Sequence, residues 1–296
     1  MKYSIVYNKT FRYMDTIDEV ILYWSTKDDI VDFIKETYKQ KQRIVIDFSD
    51  KYARELREAL PVLERLKKEH SNFAIRLNAA TQKAFHSLLK EKGINFFFCN
   101  FCSNWDSLYA YSLLGVSDVY VTEELCFDLK KVKAFCTPRR IKVRVFPNIG
   151  QVSGQGTNGV IPEIQKFFIR PEDIPVYEDY IDICELWVNH LDRSSVLYEI
   201  YKSEQWLGTL DDIIFDLDLN ISTSAFLPNF GIARLGCGKR CQKGDRCSIC
   251  TTQVELAKML DEEGISVDYP RQPVKEIDED IIRKIEEIRN EESESD

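Results

Sequence analysis

Between Glu19 and Leu186, short runs rich in β-branched and aromatic residues alternate with amphipathic stretches, and this rhythm constrains the chain more than any other feature. The runs are Glu19–Trp24 (EVILYW), Arg43–Phe48 (RIVIDF), Phe73–Asn78 (FAIRLN), Ile94–Cys99 (INFFFC), Asp118–Thr122 (DVYVT), Ile141–Phe146 (IKVRVF), Lys166–Arg170 (KFFIR) and Tyr180–Leu186 (YIDICEL). Helix-like stretches lie between the early ones, at Asp28–Lys39, Lys51–His70, Thr81–Lys92 and Glu124–Phe135. The first seven runs begin 21 to 30 residues apart. That is the length of a strand plus a returning helix, the repeat that builds parallel sheets. Eight runs make a closed (β/α)8 barrel of the TIM type the natural count, with irregularity allowed at the eighth, where the gap is too short for a full helix. A doubly wound open sheet is the alternative, because periodicity alone does not separate the two. Lys2–Tyr7 (KYSIVY) is a ninth candidate strand, at an edge.

After Leu186 the pattern changes. Arg193–Leu207 reads as a helix, Leu210–Leu219 is ambiguous, and Pro228–Cys250 is loop-like. Thr251–Glu263 reads as a helix opening on a threonine cap. Pro270 and Pro273 break the chain before the acidic stretch Lys275–Glu292, a solvated helix or a disordered segment. The expected organisation is a parallel α/β barrel over 1–190, a helical and cysteine-rich extension over 191–265, and an acidic tail over 266–296.

The apolar content, 44%, supports a large core, and twelve glycines are few for an all-β protein with many tight turns. No run approaches the roughly 18 apolar residues of a membrane span. The opening MKYSIVYNKTFRYMD is too polar for a signal-peptide core. The expectation is a cytoplasmic protein without a membrane partner. Formal charge is −9, but Glu276–Asp296 holds ten acids against Arg283, Lys284 and Arg289. The acidity is thus mostly the tail's, a candidate contact for a protein partner, and the body argues neither for nor against nucleic acid.

Nine cysteines in a chain of this kind do not suggest disulfides, since the cytosol keeps thiols reduced. Four of them, Cys237, Cys241, Cys247 and Cys250, lie within fourteen residues with the spacing C-x3-C-x5-C-x2-C. Four thiolates on so short a loop can close around one tetrahedral Zn²⁺ or one cubane iron–sulfur cluster. Arg234, Lys239, Arg240, Lys243 and Arg246 surround them, and cations there favour thiolates and offset the charge of a metal–thiolate core. The spacing does not choose between the metals, and it lacks the C-x3-C-x2-C of radical S-adenosylmethionine enzymes. A second pair, Cys99 and Cys102, is read as packing rather than as a redox motif, as are Cys126, Cys136 and Cys184. Gly154-Q-Gly156-TN-Gly159 matches a dinucleotide-binding string, but no strand runs into it and Pro162 follows. It is read as a loop, in the place of an active-site lid. His70, His86 and His190 are too scattered for a zinc triad.

Parallel βα folds place their sites at the carboxyl ends of the strands. Alternation within the runs points Asp47, Arg76, Asn78, Glu124, Arg144 and Arg170 into one barrel or crevice. Arginine's planar fork suits carboxylate or phosphate, so these six are candidates for binding an anionic small molecule. The competing reading, at even weight, is an internal salt-bridge network that supports the barrel.

Leu114-GVSDVYVTEEL-Cys126 resembles the LG-x-x-R-x-V-L-x-R-E-L strand and turn of the collagenase-like peptidase family (peptidase class U, family thirty-two). Weaker similarity runs through IKVRVFPNIGQ and Phe168-IRPEDIPVYEDYIDICEL, with a C-terminal cysteine-rich loop as a further common element. The resemblance implies a TIM-type barrel holding a 4Fe-4S cluster and acting in oxygen-independent hydroxylation of RNA or of an aromatic small molecule, with prephenate as hydroxyl donor. Glu124 matches the glutamate of the family's R-E-L, whereas Glu123 stands where the family has arginine. Pro147-Asn-Ile stands where it has a cysteine. No nucleophile–base pair and no H-E-x-x-H supports proteolysis. The alternatives are a non-enzymatic interaction protein folded by a four-cysteine zinc site, and a peptidase. Anaerobically purified protein should be brown, absorb near roughly 400 nm, and contain iron and sulfide that Cys241→Ser removes; a colourless protein carrying stoichiometric zinc would exclude the cluster.

Overall fold

The computed structural model describes residues 1–7, 11–13, 15–24, 43–69, 73–148, 169–187 and 194–205, together with Arg283 and Glu287. Eight parallel strands close into a barrel in sequence order. They are β1 (Lys2–Val6), β2 (Glu19–Tyr23), β3 (Arg43–Asp47), β4 (Phe73–Leu77), β5 (Phe96–Cys102), β6 (Asp118–Val121), β7 (Lys142–Val145) and β8 (Ile183–Leu186). The closed barrel is thus the correct choice over the open sheet.

Two strands differ from the sequence expectation. KYSIVY is not an edge: β1 pairs with β2 on one side (Ser4 opposite Glu19) and with β8 on the other (Ser4 opposite Glu185). It is the strand that closes the ring. Conversely, β7 pairs directly with β8, with Arg144 opposite Ile183, which leaves no place between them for a strand at Lys166–Arg170. Arg170 instead precedes a 3-10 turn, Pro171–Asp173, with φ −64° and ψ 148°. The cause is local: a residue before proline is pushed into extended backbone, and proline suits the first helical position. β5 also runs to Cys102 rather than stopping at Cys99.

The helices wrap the outside. α1 (Ala53–Glu69) buries Leu56, Ala59, Leu63 and Leu66, one face at helical spacing. The stretch expected as one helix over Thr81–Lys92 is α2 (Ala79–Gln82), a 3-10 turn (Lys83–Phe85) and α3 (His86–Glu91). α4 (Trp105–Leu114) has apolar residues all round, so it gave no periodic signal. It is defined by its ends, a capping box between Asn104 and Ser107 and a left-handed Gly115 at φ 81°. A 3-10 segment (Glu123–Asp128) leads into α5 (Leu129–Cys136), and α6 (Ile174–Tyr177) precedes β8. α7 (Ser194–Ser203), the first helix of the C-terminal extension, docks on the barrel wall: Tyr3 donates to the Tyr201 carbonyl at 2.9 Å, and Tyr201 to the Ile169 carbonyl at 2.9 Å. Arg283 and Glu287 are helical. The helix expected at Asp28–Lys39, the glycine loop at 154–159 and the four-cysteine loop lie outside the described residues. No helix among the described residues is long and apolar enough to cross a membrane.

Two apolar layers result. The larger lies between strands and helices and includes Ile5, Ile46, Leu63, Leu77, Val119, Val143 and Leu186; the smaller lies inside the ring and comprises Ile21, Val45, Ala74, Phe97, Cys99, Tyr120 and Phe146. Ile5 is fully buried on β1. Ile5→Ala should therefore cost about 3 kcal/mol in denaturant unfolding, as for a core strand; a cost under about 1 kcal/mol would mean that β1 is dispensable for closure.

Candidate functional site

Strand alternation sends every second side chain inward. The inward set is Ser4 on β1; Glu19, Ile21 and Tyr23 on β2; Arg43, Val45 and Asp47 on β3; and Ala74 and Arg76 on β4. It continues with Phe97, Cys99 and Phe101 on β5, Asp118 and Tyr120 on β6, Arg144 on β7, and Glu185 on β8. Barrel interiors of this kind are usually filled by branched aliphatics. This one interleaves apolar and aromatic residues with seven charged ones, Glu19, Arg43, Asp47, Arg76, Asp118, Arg144 and Glu185.

Arg144, fully buried, is the hub. Its Nε donates to Asp118 at 2.7 Å, and its two terminal nitrogens donate to the Glu19 oxygens at 2.6 and 3.1 Å. Glu19 also accepts from Arg43 at 3.1 Å and from Ser4 Oγ at 3.1 Å. Arg76 forms a second hub: it donates to Asp47, to Glu185 at 3.1 Å, and to the Tyr120 hydroxyl, which in turn donates to Glu185. Arg144 and Glu185, 3.5 Å apart, join the two halves. Phe97 lies under the guanidiniums of Arg43 (4.5 Å) and Arg144 (5.5 Å), which adds cation–π attraction.

Burial opposes ionisation of Glu19, but the charge and hydrogen bonds of Arg144, with Arg43 and Ser4 behind them, outweigh it and hold the carboxyl below its usual range. Asp47 follows the same logic through Arg76 and the Ser49 amide. Glu185 goes the other way: burial pushes its carboxyl up, and the charges of Arg76 and Arg144 only partly compensate. Burial likewise raises the Cys99 thiol.

At the carboxyl ends of the strands the interior becomes aromatic. Phe101, Tyr120 and Phe146 form a cluster of nearly parallel rings, with Tyr120 4.8 Å from each of the other two and Phe101 6.1 Å from Phe146, and Trp187 meets Phe146 edge-on at 5.8 Å. Phe101 is 57% exposed, Trp187 37% and Tyr23 40%. Asn148 holds the Trp187 backbone at both its amide and its carbonyl, at 3.0 and 2.7 Å. Tyr120 belongs to both layers, with its ring in the stack and its hydroxyl in the ionic network.

The six residues expected at the mouth divide. Asp47, Arg76 and Arg144 do converge, but as members of the internal network, with their polar groups directed to one another and to other interior groups. Asn78 caps α2 by accepting from the Ala80 amide at 2.9 Å, and also accepts from the Asn100 amide group at 2.9 Å. Arg170 does not end a barrel strand; it grips Asp173 with two bonds, at 2.7 and 2.6 Å. Glu124 has its backbone in the 3-10 segment after β6, and its side chain is outside what is described. Cys99 and Cys102, three apart on one strand, face opposite sides and are both free and buried. Among the described residues no group of His, Cys, Asp or Glu is arranged to hold a metal ion. Sequence reasoning missed Glu19, Asp118, Tyr120 and Glu185, and with them the aromatic wall. The signal was present: stepping back four and six residues from Glu124, which alternation points inward, gives Tyr120 and Asp118.

No protein-family model matches the chain, and no curated protein matches it. Similar solved structures include a tryptophan synthase alpha subunit from Legionella pneumophila (10% identity, TM-score 0.40, covering 69% of this chain and 85% of that one). A pyruvate kinase from Pyrobaculum aerophilum gives 9% identity and a TM-score of 0.37 over 79% of this chain and 83% of that one. A putative dihydrodipicolinate synthetase from Pseudomonas aeruginosa gives 11% and 0.41 over 99% of each.

Removing one partner of a buried ion pair leaves the other charge uncompensated. Arg144→Met should accordingly destabilise the barrel by about 3–5 kcal/mol in chemical denaturation, because Glu19 and Asp118 both lose their main cation; a change below about 1 kcal/mol would show that the network is dispensable.

Proposed function

We propose that this chain is a barrel enzyme that modifies a planar aromatic ring, an RNA base or an aromatic small molecule, held at the carboxyl-end mouth. The observation that carries the reading is the cluster of nearly parallel rings at that mouth, with Phe101, Trp187 and Tyr23 partly open to solvent. Aromatic faces hold bases and other flat rings by stacking, with little dependence on ligand charge. Arg76 and Arg144 are engaged by interior carboxylates, so a carboxylate on the ligand, a dicarboxylate included, would be read by groups outside this network.

Cys237, Cys241, Cys247 and Cys250 supply the donor set for a 4Fe-4S cluster, since soft thiolates in a basic loop suit iron–sulfur chemistry. A bound cluster would supply one-electron redox chemistry. The collagenase-like resemblance supports oxygen-independent hydroxylation as the reaction class. The second reading, an interaction protein with a structural zinc on the same cysteines, draws on the ionic interior, whose three arginines are each engaged by interior carboxylates.

Equilibrium binding of uridine and of a phenolic acid to anaerobically prepared protein tests the site. Binding should weaken by about 5- to 100-fold in Phe101→Ala and in Trp187→Ala, the loss expected for one stacking partner. If neither probe binds, or if both variants bind as the parent does, the mouth is not an aromatic site.

A further inference from the structure

The interior network holds more acids than bases. Among the described residues Glu19, Asp47, Asp118 and Glu185 contribute four carboxyls, against the guanidiniums of Arg43, Arg76 and Arg144. Lys2 and Lys142 share the inward parity but are exposed at the amino ends of their strands. Three of the carboxyls have an arginine at short range: Glu19 and Asp118 have Arg144, and Asp47 has Arg76. Glu185 is left with second claims on the same guanidiniums, Arg76 at 3.1 Å and Arg144 at 3.5 Å.

Its hydrogen bonding is equally uneven. Oε2 accepts from Tyr120 and Arg76, whereas Oε1 is buried with no hydrogen-bond partner. An ionised oxygen in that position retains a large desolvation cost, and protonation removes the charge while Oε2 keeps both donors as a carbonyl oxygen.

We propose that Glu185 carries a proton at neutral pH and is the buried acid of the barrel. Loss of the proton leaves a carboxylate facing Arg76 and Arg144, and its return restores the balanced interior. The titratable and charged groups around it are Glu19 and Tyr23 from β2, Arg43 and Asp47 from β3, Arg76 from β4, Cys99 from β5, Asp118 and Tyr120 from β6, and Arg144 from β7. Tyr23, partly exposed at the mouth, feels this group electrostatically: burial, then the nearby Glu185 charge, push its phenol up to about 12. The assignment rests on the interior alone and holds whether or not the mouth binds an aromatic ring.

Infrared spectroscopy at pH 7 tests it. The parent should show a protonated-carboxyl carbonyl band that is absent in Glu185→Gln and retained in Glu199→Gln, a control at another buried glutamate. The stability profile gives a second readout. A carboxyl whose folded pKa is raised contributes stability that is fully present below its unfolded value, about 4.3, and lost as pH rises towards the folded value. Over that range the parent's folding constant should fall relative to Glu185→Gln by up to tenfold per pH unit. Should Glu185→Gln fail to fold, carboxyl-13C-glutamate labelling of the parent still decides: a glutamate resonance in the protonated range at pH 7 supports the proposal. Absence of a protonated carboxyl by either spectroscopy overturns it, as does a band lost in Glu199→Gln instead.

Discussion

Charged side chains enclosed by eight strands must be neutralised chiefly by one another, and the rest of this structure depends on that requirement. Each ion withdrawn from water costs several kcal/mol, recovered only where partners and hydrogen bonds are nearly complete. Every strand supplies a part. β2, β6 and β8 give Glu19, Asp118 and Glu185; β3 gives Arg43 and Asp47; β4 and β7 give Arg76 and Arg144. β1 gives the Ser4 hydroxyl, and β5 gives the Phe97 ring under two guanidiniums. A slip of one residue in any strand would turn its member outward and leave a charge unpaired. The network thereby specifies register around the closed ring, which an all-aliphatic interior would do less sharply.

Tyr120 ties this floor to the open end. Its ring packs against both Phe101 and Phe146, and its hydroxyl bridges Arg76 and Glu185. The aromatic wall is therefore anchored from below by hydrogen bonds as well as by stacking. Asn148 fixes Trp187 from the side. Rings held in this way lose little freedom when another ring lies on them, which favours binding by preorganisation.

The barrel was legible because its signal is repeated: six of the eight strands fall on runs with regular spacing and strong β character. The two errors have physical causes. KYSIVY stands ahead of the first βα unit and looks like an appendage, although ring closure needs it between β8 and β2. KFFIR looks like a strand, but Pro171 turns the chain at Arg170 and β7 meets β8 directly. Within the site, parity placed Asp47, Arg76 and Arg144 correctly. It did not reveal their partners, because pairing runs across the barrel: Arg76 and Glu185 are 109 residues apart, and Glu19 and Arg144 are 125. Glu19 and Asp118 also open their strands, where a polar residue reads as the end of a loop. Of the two readings weighed for the arginines, the internal network is the one the geometry displays.

That outcome bears on how the proposed function divides its labour. A floor that is charge-compensated internally offers little free cation to an incoming anion, and drawing Arg76 or Arg144 towards a ligand would expose Asp47, Glu19 or Asp118 to the cost of an unpaired buried charge. Recognition at the mouth then rests on ring stacking, to which ligand charge matters little. Any phosphate or carboxylate on the same ligand has to be met elsewhere.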